Sequence, residues 1–493
     1  MTMSAFLIQD CLANFLGFYC CGWLFLASIP NSYHNDLRLL CVFLSIVSVI
    51  ICFELWYFFD CSTYNFQFIY SWSVIKNYNI GLSLGVDGLS LCFLLLTVCV
   101  FPLCFFSTWS LHVTRLKEFL LYLSLLEFFL ILCFVATDLV FFYVFFESVL
   151  IPMFIIIGIW GSRERKIKAA YYLFLYTLFG SFFLLFGIIY VYTIFSTTTL
   201  TVLLNGFLTY EQQCQLWFCF FIPFAVKIPM FPFHIWLPEA HVEAPTVGSV
   251  ILASLLLKLG SYGFLRFTVT MFPQACQTFD FIIYPLAIIS IIFASLSTIR
   301  QIDIKRIIAY SSIAHMNIMV LGLFSFNTHG IDGAIYLMLA HGIVSSGLFF
   351  CVGFLYDRSH SRLLRYFGGL ATVMPFLSIF FFLFTLANMG FPGTSNFVGE
   401  LLVFIAMFDK NIFILIFSAS SIVLAAVYAI WLFNRLFFGS LKLLYISKCT
   451  DLCVRELLVL SILVVLMFLF GINSSLILDL VNVFSQHLSL LCV

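Results

Sequence analysis

Charge is scarce in this chain of 493 residues, where 22 Lys and Arg balance 22 Asp and Glu and together make up only 9%. An ordinary soluble domain carries about 25% charged residues. With 63% of its residues hydrophobic, a soluble version could not cover its surface, so lipid must be its solvent. The zero formal net charge argues against nucleic acid as a partner. Of the 17 cysteines, no two are separated by two residues, which removes the usual iron–sulfur and zinc spacings. Scattered through apolar runs, they read as small hydrophobes. No GxGxxG or GxxxxGK[ST] occurs, so no nucleotide site is visible. No cofactor-binding or metal-binding set emerges. An Arg- and Ser-rich transit peptide is also missing from the N-terminus.

Apolar length is abundant. A bilayer-spanning helix needs about 20 apolar residues, and that rule places about fourteen spans. They centre near residues 20, 47, 95, 126, 148, 182, 222, 256, 288, 314, 343, 385, 422 and 466. The expected fold is an all-α polytopic membrane protein. No soluble domain fits between the spans, and the polar stretch near 60–80 is too short and aromatic to fold alone. Seventeen of the 22 basic residues, Lys305, Arg362 and Lys448 among them, fall in loops after odd-numbered spans. Only Lys76, Arg266 and Lys410 fall in loops after even-numbered ones. The positive-inside rule puts the odd-to-even loops on the matrix or cytoplasmic side and both termini on the opposite face. The 65 phenylalanines are compatible with an organelle genome.

Lys227 and Lys258 are the two basic residues left inside apolar segments. Glu147 lies in VFFYVFFESVLIPMF, Glu400 follows NMGFPGTSNFVG, His315 lies in AYSSIAHMNIMVL and His341 in IYLMLAHGIVSSGLFF. A charge at the bilayer centre costs about 3 kcal/mol on insertion scales. Each residue alone could be a structural contact between helices. Six on six different spans make a row if the bundle aligns them, and a row of Lys, His and Glu suits proton transfer. Glu147 and Lys227 are the candidate pair, with the lysine holding or releasing a proton as its partner moves. Glu239, His241 and Glu243 stand beside Pro238 and Pro245, where a helix end explains them as well as a channel does. Asp138 reads as a helix cap, and Asp303, Lys305 and Arg306 read as a solvated helix start.

Two spans cannot be continuous. Span seven contains Pro223, Pro229 and Pro232 within FIPFAVKIPMFPFHIWLPEAHVEAP, and span twelve contains Gly390, Pro392 and Gly393 within NMGFPGTSNFVGE. Proline removes a donor and clashes with the preceding turn. Carbonyls freed in this way survive in a membrane only when buried in protein or facing a wet cavity. Matched breaks in two halves are a mark of inverted repeats. Spans 4–8 and 9–13 then form two five-helix repeats. The expected divisions are 1–110 for helices 1–3, 111–270 and 271–440 for the two repeats, and 441–493 for helix 14.

TDLVFFYVFFE (137–147), KIPMFPFHIWLPEAHVEAP (227–245), DIKRIIAYSSIAHM (303–316), NMGFPGTSNFVGE (388–400) and WLFNRLFFG (431–439) together resemble the NADH dehydrogenase subunit 4 family. These are antiporter-like membrane subunits of respiratory complex I, NADH:ubiquinone oxidoreductase. The resemblance covers about 135–440. It implies fourteen helices, two inverted five-helix repeats with discontinuous helices 7 and 12, and a central polar axis that moves protons. By motif, Glu147 and Lys227 resemble the first-half pair, Lys258 the lysine linking the halves, His315 and His341 the relay, and Glu400 the acid on broken helix twelve. It implies no redox centre on this chain, with NADH, FMN, iron–sulfur clusters and ubiquinone held by other subunits. The implied partners are neighbouring membrane-arm subunits, especially antiporter-like subunits 2 and 5, and membrane lipid including cardiolipin. The implied location is the mitochondrial inner membrane, with both termini on the intermembrane-space side.

The nearest competing reading is a related antiporter-like chain or a cation/proton antiporter. Subunit 5 adds a lateral helix, and nothing after the last span here is expected to form one. A stand-alone solute transporter would need a roomy midplane site with varied polar groups. A purely structural scaffold would leave the buried charges unexplained.

Overall fold

The computed structural model describes residues 11–75, 78–109, 114–442 and 450–491; Lys76 and Lys448 lie outside these residues. Among the described residues, eleven helices are long and apolar enough to cross a bilayer. The described residues fall into two compact units, one within Met1–Lys227, Leu259–Thr278 and Leu480–Val493 and the other within Ile228–Lys258 and Phe279–Asp479.

The first unit runs α1 (Cys11–Ser28), α2 (His34–Phe58), β1 (Gln67–Ile75), β2 (Ile80–Val86), α3 (Gly88–Ser107), α4 (Leu116–Val135), α5 (Leu139–Trp160), α6 (Lys166–Phe195) and α7 (Tyr210–Lys227). The stretch near 60–80, too short to fold alone, contributes strands to a hairpin. β1 and β2 pair antiparallel, with Tyr70 opposite Leu84 and Trp72 opposite Leu82. Asp87 ends the hairpin and starts α3: its carboxylate accepts the Ser90 amide while the Ser90 hydroxyl satisfies the Asp87 amide, a capping box. Asp138 caps α5 through its carboxylate alone, accepting the Val140 and Phe141 amides.

Phenylalanines help to form the outer face of α6. Tyr171, Leu175, Leu178, Phe179, Phe182, Phe186 and Ile189 form its exposed stripe at helical spacing, and their apolar surface faces outward as a lipid-bathed helix requires. The opposite stripe is built of small residues. A side chain at Gly180 would come within 3.1 Å of Pro223 Cα, and one at Gly187 within 2.8 Å of the Phe220 ring. Small residues let membrane helices approach closely, and here they seat α7 against α6.

The second unit contains α8 (Trp236–Glu243), α10 (Asp280–Arg300), α11 (Ile304–Leu323), α12 (Thr328–Ser359), α13 (Pro375–Asn388), α14 (Ser395–Lys410), α15 (Ile412–Phe437) and α16 (Val454–Ile472). Helix α9 (Thr246–Val269) gives its residues up to Lys258 to this unit and the rest to the first. An 18-residue stretch of each of α9 and α12 is wholly buried. The two predicted breaks are present in the backbone. Helix ends at Lys227 and resumes at Trp236, and it ends at Asn388 and resumes at Ser395. A further helix, α17 (Ser475–Leu491), follows the last apolar span, where none was expected.

Candidate functional site

The first unit holds Glu147 and Lys227. Pro152 cannot donate to a carbonyl one turn back, and the helical pattern of α5 is interrupted between Ser148 and Leu150. Glu147 stands at that interruption. Lys227 is the last residue of α7, buried to 2% exposure. Its amine lies 3.7 Å from the centre of the Phe146 ring and donates to the Phe146 carbonyl at 3.4 Å. Ser181 of α6 lies beside the Glu147 carboxyl, whose Oε1 is buried without a hydrogen bond among the described residues. The Lys227 amine therefore rests on Phe146, the neighbour of Glu147 on α5, and among the described residues no ion pair joins the expected partners. The amine rests on the aromatic face, an attraction of about 0.5–2 kcal/mol depending on desolvation.

The second unit brings the other four residues together. Lys258 Nζ lies 2.8 Å from His341 Nδ1. The His341 and His315 ring centres are 5.8 Å apart, and His315 Nδ1 lies 3.0 Å from Glu400 Oε1. All four are buried. They come from α9, α12, α11 and α14, so packing sets the alignment. Residues 252–256 of α9 form a π-helical turn, and the Lys258 amine donates to the Ala253 carbonyl at 2.7 Å. The α12–α14 seam is again made of glycine: a Cβ on Gly333 would meet Leu402 Cβ at 2.7 Å, and one on Gly399 would meet Leu337 at 2.9 Å. At the break before α14, Gly390 adopts φ +70°, and a Cβ there would stand 2.5 Å from Glu400 Oε2. The glycine-rich break thus makes room for the carboxyl.

Three charged clusters depart from what the sequence predicts or do not stand out in it. Lys305 is not solvated: it is 2% exposed and donates to the Ala244 carbonyl at 2.9 Å. Arg362, expected in a loop, is buried and donates to the Val242 carbonyl. The last carbonyls of α8 have no helical donors, Pro245 supplies none, and cations at a helix C-terminus are favourable. Asp303 is buried as well, whereas Arg306 is partly exposed and pairs with Glu239 at 2.6 Å. The helix-end reading of Glu239, His241 and Glu243 fits α8, and the buried His241 ring stacks on Phe349 at 4.7 Å.

Arg266 also departs from the loop assignment. It lies inside α9, buried, and pairs with Asp87 at 2.5 Å. A buried arginine requires such a partner, and the long α9 keeps it in protein rather than beyond the span. Glu127, which sequence reading passed over, is buried in α4 and accepts hydrogen bonds from Tyr19 at 2.7 Å and Ser48 at 3.3 Å. Its setting, SLLEFFLILCF, is the same lone acid in an apolar run that singled out Glu147. Among the described residues, no group of three His, Cys, Asp or Glu could hold a metal.

A family model described as "NADH:quinone oxidoreductase/Mrp antiporter, TM" matches residues 136–426. The chain is 50% identical to "NADH-ubiquinone oxidoreductase chain 4" of Arabidopsis thaliana over 91% of its length and 92% of the relative's. It is also 50% identical to the protein of the same description from Marchantia polymorpha, over 89% and 88%. A chain in the solved structure "Respiratory complex I from Thermus thermophilus with bound NADH" superposes with a TM-score of 0.88. The two are 27% identical, with 99% of this chain and 100% of that one covered.

Proposed function

The chain belongs to the NADH-ubiquinone oxidoreductase chain 4 family, antiporter-like membrane subunits of complex I, and on that premise we propose that it conducts protons through Glu147 and Lys227 in one unit and Lys258, His341, His315 and Glu400 in the other. The buried four-residue row carries the reading. Its two hydrogen-bonded links, at 2.8 and 3.0 Å, are within proton-transfer reach. Rotation of an imidazole, or one water between the rings, closes the remaining step. Histidine suits the middle of the row because it exchanges a proton at either ring nitrogen.

In the first unit, the Lys227 amine on the Phe146 ring fits a state in which Glu147 does not hold it. A charge shift arriving from a neighbouring subunit would move the carboxyl toward the amine or away, and so load or discharge the lysine. Oxidation of NADH and reduction of ubiquinone, with FMN and iron–sulfur clusters, belong in this reading to other subunits. The neighbours are other membrane-arm subunits, with antiporter-like subunits 2 and 5 adjacent and cardiolipin among the surrounding lipids. The chain resides in the mitochondrial inner membrane with both termini toward the intermembrane space, so that the basic loops face the matrix. The pairing of the two broken helices supports inverted repeats within a fourteen-span bundle.

The test is Lys258→Ala in the assembled enzyme. NADH-driven acidification, normalised to NADH oxidation, is expected to fall at least about tenfold, since proton transfer by a positioned group is worth roughly 100-fold or more. Unchanged pumping in a fully assembled complex would remove Lys258 from the path.

A further inference from the structure

A cavity of about 310 Å³ lies in the first unit, away from Glu147 and Lys227 in its lining, and Glu127 forms part of its wall. The volume is at the lower end of the range for small-molecule pockets. Tyr19, Trp23, Cys41, Phe105 and Phe128 are among the other lining residues, so the walls are almost entirely apolar. Glu127 sits about midway along α4, where a lipid headgroup does not reach because the hydrocarbon half-thickness is roughly 15 Å.

The acid is only half satisfied. Oε1 accepts from the Tyr19 and Ser48 hydroxyls. Oε2 accepts no hydrogen bond from any described residue, and no described basic side chain bears on the carboxyl. The single Ser48 proton is shared with the nearer Ser45 carbonyl at 2.7 Å, which leaves Tyr19 as the main donor to Oε1. A carboxyl in hydrocarbon without a cation is costly. Glu147 and Glu400 do not share this situation: one lies near Lys227 and the other bonds to a histidine.

We propose that this cavity is a binding site for a single-chain lipophilic amine, whose ammonium hydrogen-bonds to Glu127 and whose alkyl body fills the apolar walls. The amine supplies the missing cation and its donors serve the open oxygen. A lipophilic alcohol fills the same volume without the charge, and a fatty acid brings a second carboxylate. Hydrogen bonds to charged groups are worth more than neutral ones by a margin of about tenfold in affinity, so the three classes separate.

The experiment uses the assembled enzyme in native membranes and a dodecylamine bearing a photoreactive diazirine. Labelling is expected on peptides containing Tyr19–Trp23 and Ser124–Phe129. Dodecylamine should compete, dodecanol at least about tenfold more weakly, and dodecanoate not at all. Glu127→Gln should lower labelling by the same factor, while Glu118→Gln on the same helix, an exposed acid paired with Arg115, leaves it unchanged. Equal competition by dodecanol, undiminished labelling in Glu127→Gln, or no labelling of these peptides in the assembled enzyme would each overturn the proposal. If Glu127→Gln fails to assemble, the competition series on the natural enzyme decides.

Discussion

Gly390→Ala adds one methyl group and alters no ionisable residue, yet it should disable the end of the buried row. Two effects follow from the backbone. The left-handed conformation, φ +70°, costs an alanine roughly 1–2 kcal/mol. The new Cβ would also start 2.5 Å from Glu400 Oε2. Relief to ordinary contact requires the carboxyl to move by about 1 Å. Movement of that size directed away from His315 takes the 3.0 Å link beyond hydrogen-bond reach. Misplacing a reacting group by that much costs up to about 100-fold in rate, so pumping per NADH oxidised should fall roughly 10- to 100-fold in vesicles carrying the assembled complex. Gly393→Ala is the control. It also has a left-handed backbone, φ +90°, but nothing lies within 4 Å of its Cβ position. It pays the backbone cost without touching Glu400, and should lower the thermal midpoint slightly while leaving pumping intact. Equal pumping defects in the two variants would refute the contact argument and leave backbone strain as the cause.

Lys227→Ala should reduce acidification sharply with the complex still assembled, read by native gel and dye quenching; full pumping would exclude the lysine from the path. Asp87→Asn leaves Arg266 without its buried carboxylate and should destabilise the subunit by about 3–5 kcal/mol, seen as loss of assembled enzyme at growth temperature. The double variant Asp87→Asn with Arg266→Met removes both charges while keeping a side-chain oxygen to cap α3, and should recover assembly, because replacing a buried pair with uncharged residues of similar size is nearly neutral.

The helices and both breaks were legible because lipid makes hydrophobic length and proline unusually informative. Glu147, Lys227, Lys258, His315, His341 and Glu400 stood out for the same reason: an ionisable group in an apolar run carries a cost. Which of them touch was not legible. The Lys258–His341 and His315–Glu400 contacts span 83 and 85 residues of sequence and depend on glycine seams whose partners only the packed chain reveals. Lys305, Arg362 and Arg266 were misread because hydropathy locates span ends without saying whether protein covers them. The hairpin escaped notice because its exposed Ile69, Trp72 and Val74 blur the alternation that marks a half-buried strand.

Each member of the buried row sits on a different helix, so every link crosses an interface between two helices. Such a path behaves like switches wired in series. Each link must close in its turn, the step between the two histidines by ring rotation or a bridging water, and a shift of about 1 Å between any two helices, an ordinary amplitude for helix motion in switching proteins, opens the circuit. A membrane that stores a proton gradient needs that property more than it needs speed. On the proposed path, the geometry that would pass protons with the helices in register would hold back the return leak when they are not.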